Sequence, residues 1–312
     1  MNPPNQTMVA YFIIRGISSV SELQLPIFLL VLLIYIIILG GNMTILILFC
    51  LDRQLQSPMY FFLANLSLVD VSCSTVTLHK ILGNFITGDK SVPYVACMIQ
   101  MHFFSALTFD EFVILAVMSY DRYLAVCNPL LYNAVMTQKV CLQLALSSLI
   151  SGFIIVVTPT VLVSGFSCYM SHEINHFFCD IVPIMEITCD DIAILQVLMF
   201  TAGTFVFGLL PFLLTFTPYI FIITVILKIR NTIGRRKAFY TCSSHLTVVI
   251  LLYLTFSFQY FTPKSKRSTE SSKLFAMFNA VFIPLVNPLI YTLKNKDMTL
   301  AIKRRVKLCK LH

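Results

Sequence analysis

Leu25 to Phe49 reads LPIFLLVLLIYIIILGGNMTILILF, 25 residues without a single charge. A helix needs about 20 apolar residues to cross the hydrocarbon of a bilayer. Backbone N–H and C=O groups find no partner in lipid, so a spanning segment must satisfy them internally. The stretch therefore reads as a membrane helix. Six more apolar runs follow it, near 58–79, 97–121, 140–163, 193–227, 238–261 and 274–293. The fifth is too long for one bilayer and contains Pro211 and Pro218; it reads as one helix whose inner end projects from the membrane. Composition agrees, since 58% of the 312 residues are hydrophobic and 12% are charged. A soluble domain carries about 25% charged residues. The fold class is an all-α membrane protein, a seven-transmembrane helix bundle. No internal repeat, low-complexity segment or soluble domain is visible.

Charge gives the orientation. Sorted by side of the membrane, Arg53, Arg122, Lys139 and the groups Lys228–Lys237 and Lys294–Lys310 place 15 basic residues on one face, against 7 on the other. Cytoplasmic loops are enriched in Lys and Arg. The first face is then cytoplasmic, and an odd number of spans leaves the N-terminus outside. Residues 1–24 form an extracellular tail, 25–293 the membrane domain and 294–312 a cytoplasmic tail. Residues 295–310 alternate apolar and basic side chains, as a short amphipathic helix on the membrane surface does. In a soluble protein the basic runs would suggest nucleic acid; here they are topology signals with an attraction to anionic membrane lipids, and no nucleic-acid partner is expected. Asn5 opens an Asn-Gln-Thr glycosylation sequon on the outer tail, whereas the sequons at Asn42 and Asn65 lie inside spans. No cleavable signal peptide is visible, so the first span is expected to act as its own insertion signal. Cys309 on the tail is a candidate for palmitoylation.

Residues 164–192 form a long second outer loop, and long loops tend to carry function. Cys97, Cys168, Cys179 and Cys189 fall on the outer side, where disulfides persist. Four cysteines allow three pairings, and spacing alone leaves all three open. The loop also holds His172-Glu173-Ile174-Asn175-His176. This matches the H-E-x-x-H zinc signature, which needs both histidines on one helical face. In a loop between candidate disulfide cysteines, with no third ligand evident, the zinc reading fails.

Polar residues inside spans are expensive and default to functional hypotheses. Asn42, Asp70, Glu111 and Asn287 fall in four different runs. A bundle can gather them into one inward cluster. Their hard oxygens suit a sodium ion or ordered water at Asp70 and Glu111; a structural hydrogen-bond network is the equal alternative, and the two can coexist. Asp110 points about 100° away from Glu111 on a helix and has no evident role. Asp121-Arg122-Tyr123 ends the third span, and Arg122 is a candidate switch residue.

Several segments together resemble the odorant receptors, a branch of the rhodopsin-like G-protein-coupled receptors. They are Pro58–Leu63 (PMYFFL), Leu66–Asp70 (LSLVD), Met118–Cys127 (MSYDRYLAVC), Lys237–Leu246 (KAFYTCSSHL) and Pro284–Tyr291 (PLVNPLIY). Order and spacing match over essentially the whole chain. Two departures stand out. Leu252-Tyr253-Leu254 occupies a position where the family often has Phe-Tyr-Gly, and Ser119 replaces the expected Ala.

The resemblance implies the rest. Cys97 pairs with Cys179, leaving Cys168 for Cys189. Asp121, Arg122, Tyr123, Tyr219, Asn287, Pro288 and Tyr291 belong to the activation machinery that opens the inner face to a heterotrimeric G protein, in this family usually the stimulatory olfactory one that raises cyclic AMP. Asp70 and Glu111 match the family's ion-site acids. Tyr253 and Tyr260 match its pocket-facing tyrosines. Counting outward from Arg122 puts Phe104, Ser105 and Thr108 on the pocket face of the third span. The matching positions are Gly203, Thr204 and Phe207 on the fifth, and Tyr253, Phe256, Ser257 and Tyr260 on the sixth. Phe104 stands where amine receptors carry an acid, which favours a neutral volatile ligand. The expected protein is then an odorant receptor of the plasma membrane, not an enzyme and without a cofactor. A transporter using Asp70 and Glu111 is the rival class; the absent repeat argues against it.

Overall fold

The structure is a computed structural model that describes residues 9–18, 20–228, 232–260, 269–293 and 295–309. The sequon at Asn5 lies outside them, as does the side chain of Cys309. Among the described residues, six helices are long and apolar enough to cross a membrane: Ser21–Leu51, Pro58–Thr87, Tyr94–Cys127, Gln138–Ser164, Ala193–Lys228 and Glu270–Thr292. The remaining span is the apolar part, His245–Tyr260, of a longer helix, Thr232–Tyr260. Its first turns carry Arg235, Arg236 and Lys237, so it extends beyond the apolar run that begins near 238. In chain order these are the first to seventh helices, Glu270–Thr292 being the seventh. An amphipathic helix, Lys296–Cys309, follows.

Local signals set the boundaries. Ser57 and Pro58 open the second helix, because proline at the first position loses no helical hydrogen bond. Gly88 ends it at φ 71°, a left-handed value that suits glycine, and its N–H donates to the Asn84 carbonyl. Thr137 caps the fourth helix by accepting from the Val140 N–H. Asn295 Oδ1 accepts from the Asp297 and Met298 N–H groups and starts the terminal helix.

The helices are sorted inside out. On the first, Val31, Ile38, Asn42, Ile45 and Leu48 form one buried stripe, while Leu29, Leu30, Leu33, Ile36 and Ile47 are exposed. Large exposed aliphatics beside a buried asparagine are what hydrocarbon solvent demands. The third helix is the central one, with 19 buried residues that include Asp110, Glu111 and Asp121.

Prolines shape the seventh helix. Pro284 and Pro288 carry no N–H, which frees the carbonyls four residues earlier. Both carbonyls find side chains from neighbouring helices. Ser74 Oγ donates to the Ala280 carbonyl at 3.2 Å, and Asn42 Nδ2 to the Pro284 carbonyl at 3.0 Å. Gly41 lets the first helix approach, since a Cβ there would lie 3.0 Å from the Pro288 ring. A π-helical stretch, Phe278–Phe282, lies just before, and a longer one, Met199–Leu209, lies in the fifth helix.

Two segments read as tail and loop prove more ordered than expected. Tyr11–Ile14 (β1) is the central strand of a three-stranded sheet. It pairs antiparallel with Ser91–Pro93 (β2) and parallel with Glu173–Ile174 (β3). Alternation puts Phe12 and Ile14 inward, and this run of β-formers was the signal available in the sequence. The long loop also contains a short helix, Ile181–Ile187, capped by Asp180. Disulfides Cys97–Cys179 and Cys168–Cys189 fasten this cap. This is the disulfide end of the bundle, and the opposite one is the basic end.

At the basic end, Arg304 grips Asp52 at 2.6 Å, and Arg305 bonds the Leu51 carbonyl. Arg304 holds the Asp52 carboxyl below the usual carboxylate range. Tyr60 OH donates to Asn295 and Asp297. The amphipathic helix is thus tied to the first two spans.

One contact gives a direct test of the packing. At Gly152 an added Cβ would sit 2.8 Å from the Ala106 carbonyl oxygen, which is backbone and cannot swing away. Gly152→Ala is therefore expected to cost about 1–3 kcal/mol by overpacking. A thermal melt of the purified protein checks this, and an unchanged melting temperature would contradict it.

Candidate functional site

Three buried clusters run through the bundle. Beneath the cap, aromatic rings from the third, fifth and sixth helices meet. Phe112 lies 4.9 Å from both Tyr253 and Phe256. Phe207 contacts Phe109 at 5.1 Å and stacks on Phe256 at 6.0 Å, and Phe256 contacts Tyr260 at 4.6 Å. Phe104 meets Phe178 of the long loop edge-on at 4.7 Å. Of the expected pocket residues, the structure brings together Phe207, Tyr253, Phe256 and Tyr260, with Phe104 against the cap. Thr108 is buried and donates its hydroxyl to the Phe104 carbonyl. Ser105 and Gly203 are half-buried. Thr204 and Ser257 are not in the cluster. Both are exposed, Thr204 one turn from exposed Phe200 and Ser257 beside exposed Leu254 and Phe258. The wider turn of the π-helix moved the fifth-helix positions relative to an α-helical count.

The roof is polar, and the sequence did not single it out. Asp180 accepts from Gln259 Nε2 and Tyr260 OH, each at 3.2 Å. Asn279 Nδ2 donates to Gln259 Oε1, and Thr255 Oγ1 to Asn279 Oδ1, each at 2.5 Å. This chain joins loop, sixth helix and seventh helix. Gln100 ties the other side, accepting from the Cys179 N–H at 3.0 Å and donating to the Val76 carbonyl at 2.7 Å.

The middle cluster holds the buried acids. Asn287 Nδ2 donates to both Asp70 oxygens, at 2.9 and 3.2 Å. Glu111 lies within electrostatic reach of Asp70. Glu111 Oε1, Asn42 Oδ1 and Asn287 Oδ1 are buried without hydrogen-bond partners. Asp110, which had no evident role, accepts a hydrogen bond from Ser148 and so joins the third helix to the fourth.

At the basic end, Asp121 Oδ1 accepts from Tyr132 OH at 2.9 Å. Tyr132 belongs to a short helix, Pro129–Val135, after the third span. Tyr219 OH bonds His245 Nδ1 and links the fifth and sixth helices. Arg122 Nη2, Tyr291 OH and His245 Nε2 are buried and unpartnered. Tyr123 packs on Phe221 at 5.9 Å. His245 lies within the Lys237–Leu246 segment, whose sequence alone carries no signal that its ring meets Tyr219. Pro288 sits against Gly41 and the first helix, as described above.

The His172–His176 motif takes a form that a helical zinc site does not. Glu173 and Ile174 are strand residues, His172 is exposed and His176 is buried. Among the described residues no three His, Cys, Asp or Glu side chains cluster as metal ligands do.

The arrangement defines a multi-pass helical membrane protein with an aromatic cluster under a disulfide-bonded cap. Comparison with known proteins makes the class specific. An olfactory receptor family profile matches residues 31–309. Human olfactory receptor 8D1 is 40% identical over 304 residues, 97% of this chain and 98% of its own length. Mouse olfactory receptor 5AR1 is 40% identical over 306 residues, 98% of each chain. Human olfactory receptor 8J3 is 39% identical over 306 residues, 97% of this chain and 96% of its own length. The chain belongs to the olfactory receptor family.

His176 gives the cap a pH signature. Burial first, then the nearby charge of Lys273, hold its pKa down from 6.5 to about 3. The folded cap therefore keeps the neutral ring, and this contribution is present above about pH 6.5 and lost as pH falls towards 3. At pH 5 the loss is about 2 kcal/mol, at roughly 1.4 kcal/mol per unit. Melting temperature should fall between pH 7 and 5 in the wild type and fall much less in His176→Phe. Parallel curves for the two would refute the assignment.

Proposed function

We propose that the chain is an odorant receptor that binds a small neutral volatile molecule against the aromatic wall of Phe112, Phe207, Tyr253 and Phe256. Ligand sites are mostly apolar with a few placed polar groups, and this wall lies under the Asp180–Gln259–Asn279 roof. The observation that carries the neutral reading is that Phe104 offers the cluster a ring rather than an acid, packed edge-on against Phe178 of the long loop. The disulfide end faces the exterior at the plasma membrane, with residues 1–24 outside, Asn5 glycosylated and 294–312 in the cytoplasm. The basic face follows the positive-inside rule.

The basic end carries the switch. Each buried unpartnered polar group costs about 1–3 kcal/mol, and Arg122, His245 and Tyr291 each hold one. The closed bundle is thereby poised towards an arrangement that gives these groups new partners. An odorant that binds the open state more tightly shifts the population towards it. The opened face engages a stimulatory heterotrimeric G protein and raises cyclic AMP. Asp70 and Glu111, with the orphan oxygens of Asn42 and Asn287, suit a sodium ion, since hard cations take oxygen ligands.

A cyclic AMP assay in cells expressing the chain with the olfactory G protein, challenged with a broad odorant panel, tests this reading. A dose-dependent rise is expected, abolished in Arg122→Ala at unchanged surface expression. A normal response in that variant would contradict the switch.

A further inference from the structure

Outside the bundle core, the lipid-facing side carries a histidine with one nitrogen to spare. His102 lies on the third helix, half-buried against the fourth. It stands five residues inside the apolar run that begins at Cys97, about 7 Å along the helix at roughly 1.5 Å per residue. That is the edge of the hydrocarbon in the leaflet at the disulfide end. The surrounding hydrogen bonds fix its tautomer. Thr160 Oγ1 donates to the Val156 carbonyl at 2.7 Å, and a carbonyl can only accept. The hydroxyl has one hydrogen, so in its 3.0 Å contact with His102 Nδ1 the Thr160 oxygen accepts. Nδ1 therefore carries the ring proton. A charged ring is disfavoured at this depth, and in a neutral imidazole the other nitrogen is a bare acceptor. Nε2 has no partner among the described residues.

Below this acceptor runs an apolar groove. Phe153 packs on His102 at 5.8 Å and meets Phe103 edge-on at 5.2 Å. Ile99 and Phe103 of the third helix are exposed, as are Leu146, Ile150 and Val157 of the fourth. With Phe153 and Thr160 the latter three follow spacings of three and four residues, so they form one stripe. From Thr160 to Leu146 it runs about 21 Å, more than the ~15 Å of one leaflet. The occupant must donate a hydrogen bond at the top and be apolar beneath. Phospholipid ester groups only accept, and water leaves the stripe uncovered. Ile99, Ile150 and Val157 are stiff at χ1, and a fixed surface favours a rigid partner over an acyl chain whose ordering costs entropy. We propose that this groove binds a sterol. Its hydroxyl donates to His102 Nε2, and its ring system lies along Phe153, Val157 and Ile150. The sterol clasps the third helix to the fourth on the lipid side, as Asp110 and Ser148 do inside.

Photolabelling of the full chain in phosphatidylcholine nanodiscs tests the proposal, with a ring-diazirine cholesterol as probe and mass spectrometry of the labelled peptides as readout. Saturable labelling within 99–103 and 146–157 is expected, and cholesterol should compete it away. Cholesteryl methyl ether keeps the ring system but has no O–H, and should compete about fivefold more weakly, the worth of one net hydrogen bond. His102→Phe keeps a ring, loses the acceptor and should bind the probe about fivefold more weakly. Val157→Trp alters a lipid-facing side chain and blocks the stripe. It should abolish the labelling while leaving the melting temperature in sterol-free nanodiscs unchanged. No saturable labelling in the wild type, equal competition by the methyl ether, displacement by ceramide but not by cholesterol, or undiminished labelling in His102→Phe would each overturn the proposal.

Discussion

A carbonyl without an N–H partner cannot turn to water inside a bilayer, and the seventh helix has two such carbonyls. Pro284 and Pro288 create them at Ala280 and Pro284. Ser74 and Asn42 reach across from the second and first helices to satisfy them. These bonds fix where the seventh helix lies, and much else follows from its position. Asn287 comes to face Asp70, Asn279 meets Gln259 and Thr255, and Tyr291 is buried at the basic end. A backbone defect is thus converted into a scaffold for the polar core.

The same economy explains the other polar side chains of the spans. Each group that enters hydrocarbon must bring or find a partner. Asp110 finds Ser148, Gln100 finds the cap backbone, and Tyr219 finds His245. Within the middle and the basic end of the bundle the orphan atoms gather in two places, around Asp70 with Glu111 and around Arg122 with Tyr291, while those of Asn84, Tyr169 and His176 lie at the disulfide end. Polar atoms left unsatisfied are costly, so their clustering marks regions suited to an ion, water or a rearrangement.

Much of this was legible in the sequence because membrane solvent makes the pattern coarse. Seven apolar runs, the buried Asn42, Asp70, Glu111 and Asn287, and the family motifs could be read directly. The cysteines could not be paired by spacing alone; the family resemblance implied the bonds Cys97–Cys179 and Cys168–Cys189 that the structure contains. What could not be read was long-range or geometric. β3 is two residues long and gains its partner from the chain start, 160 residues away at Ile13 and Glu173. The π-helical stretch in the fifth helix breaks a count based on 3.6 residues per turn, so Thr204 left the expected face. Asp180 lay in a loop with no periodicity to announce that it would cap a helix and hold the roof together.

The central claim is that buried polar side chains here answer breaks in a neighbouring backbone. The most direct test is a double-mutant cycle on thermal stability. Asn42→Leu in the wild type should cost about 0.6–2 kcal/mol, the range of interhelical hydrogen bonds in membranes. Pro288→Ala restores the N–H that serves the Pro284 carbonyl, so in that background the cost of Asn42→Leu should nearly vanish. An equal cost in both backgrounds would show that Asn42 acts through something other than the freed carbonyl, and would contradict the account.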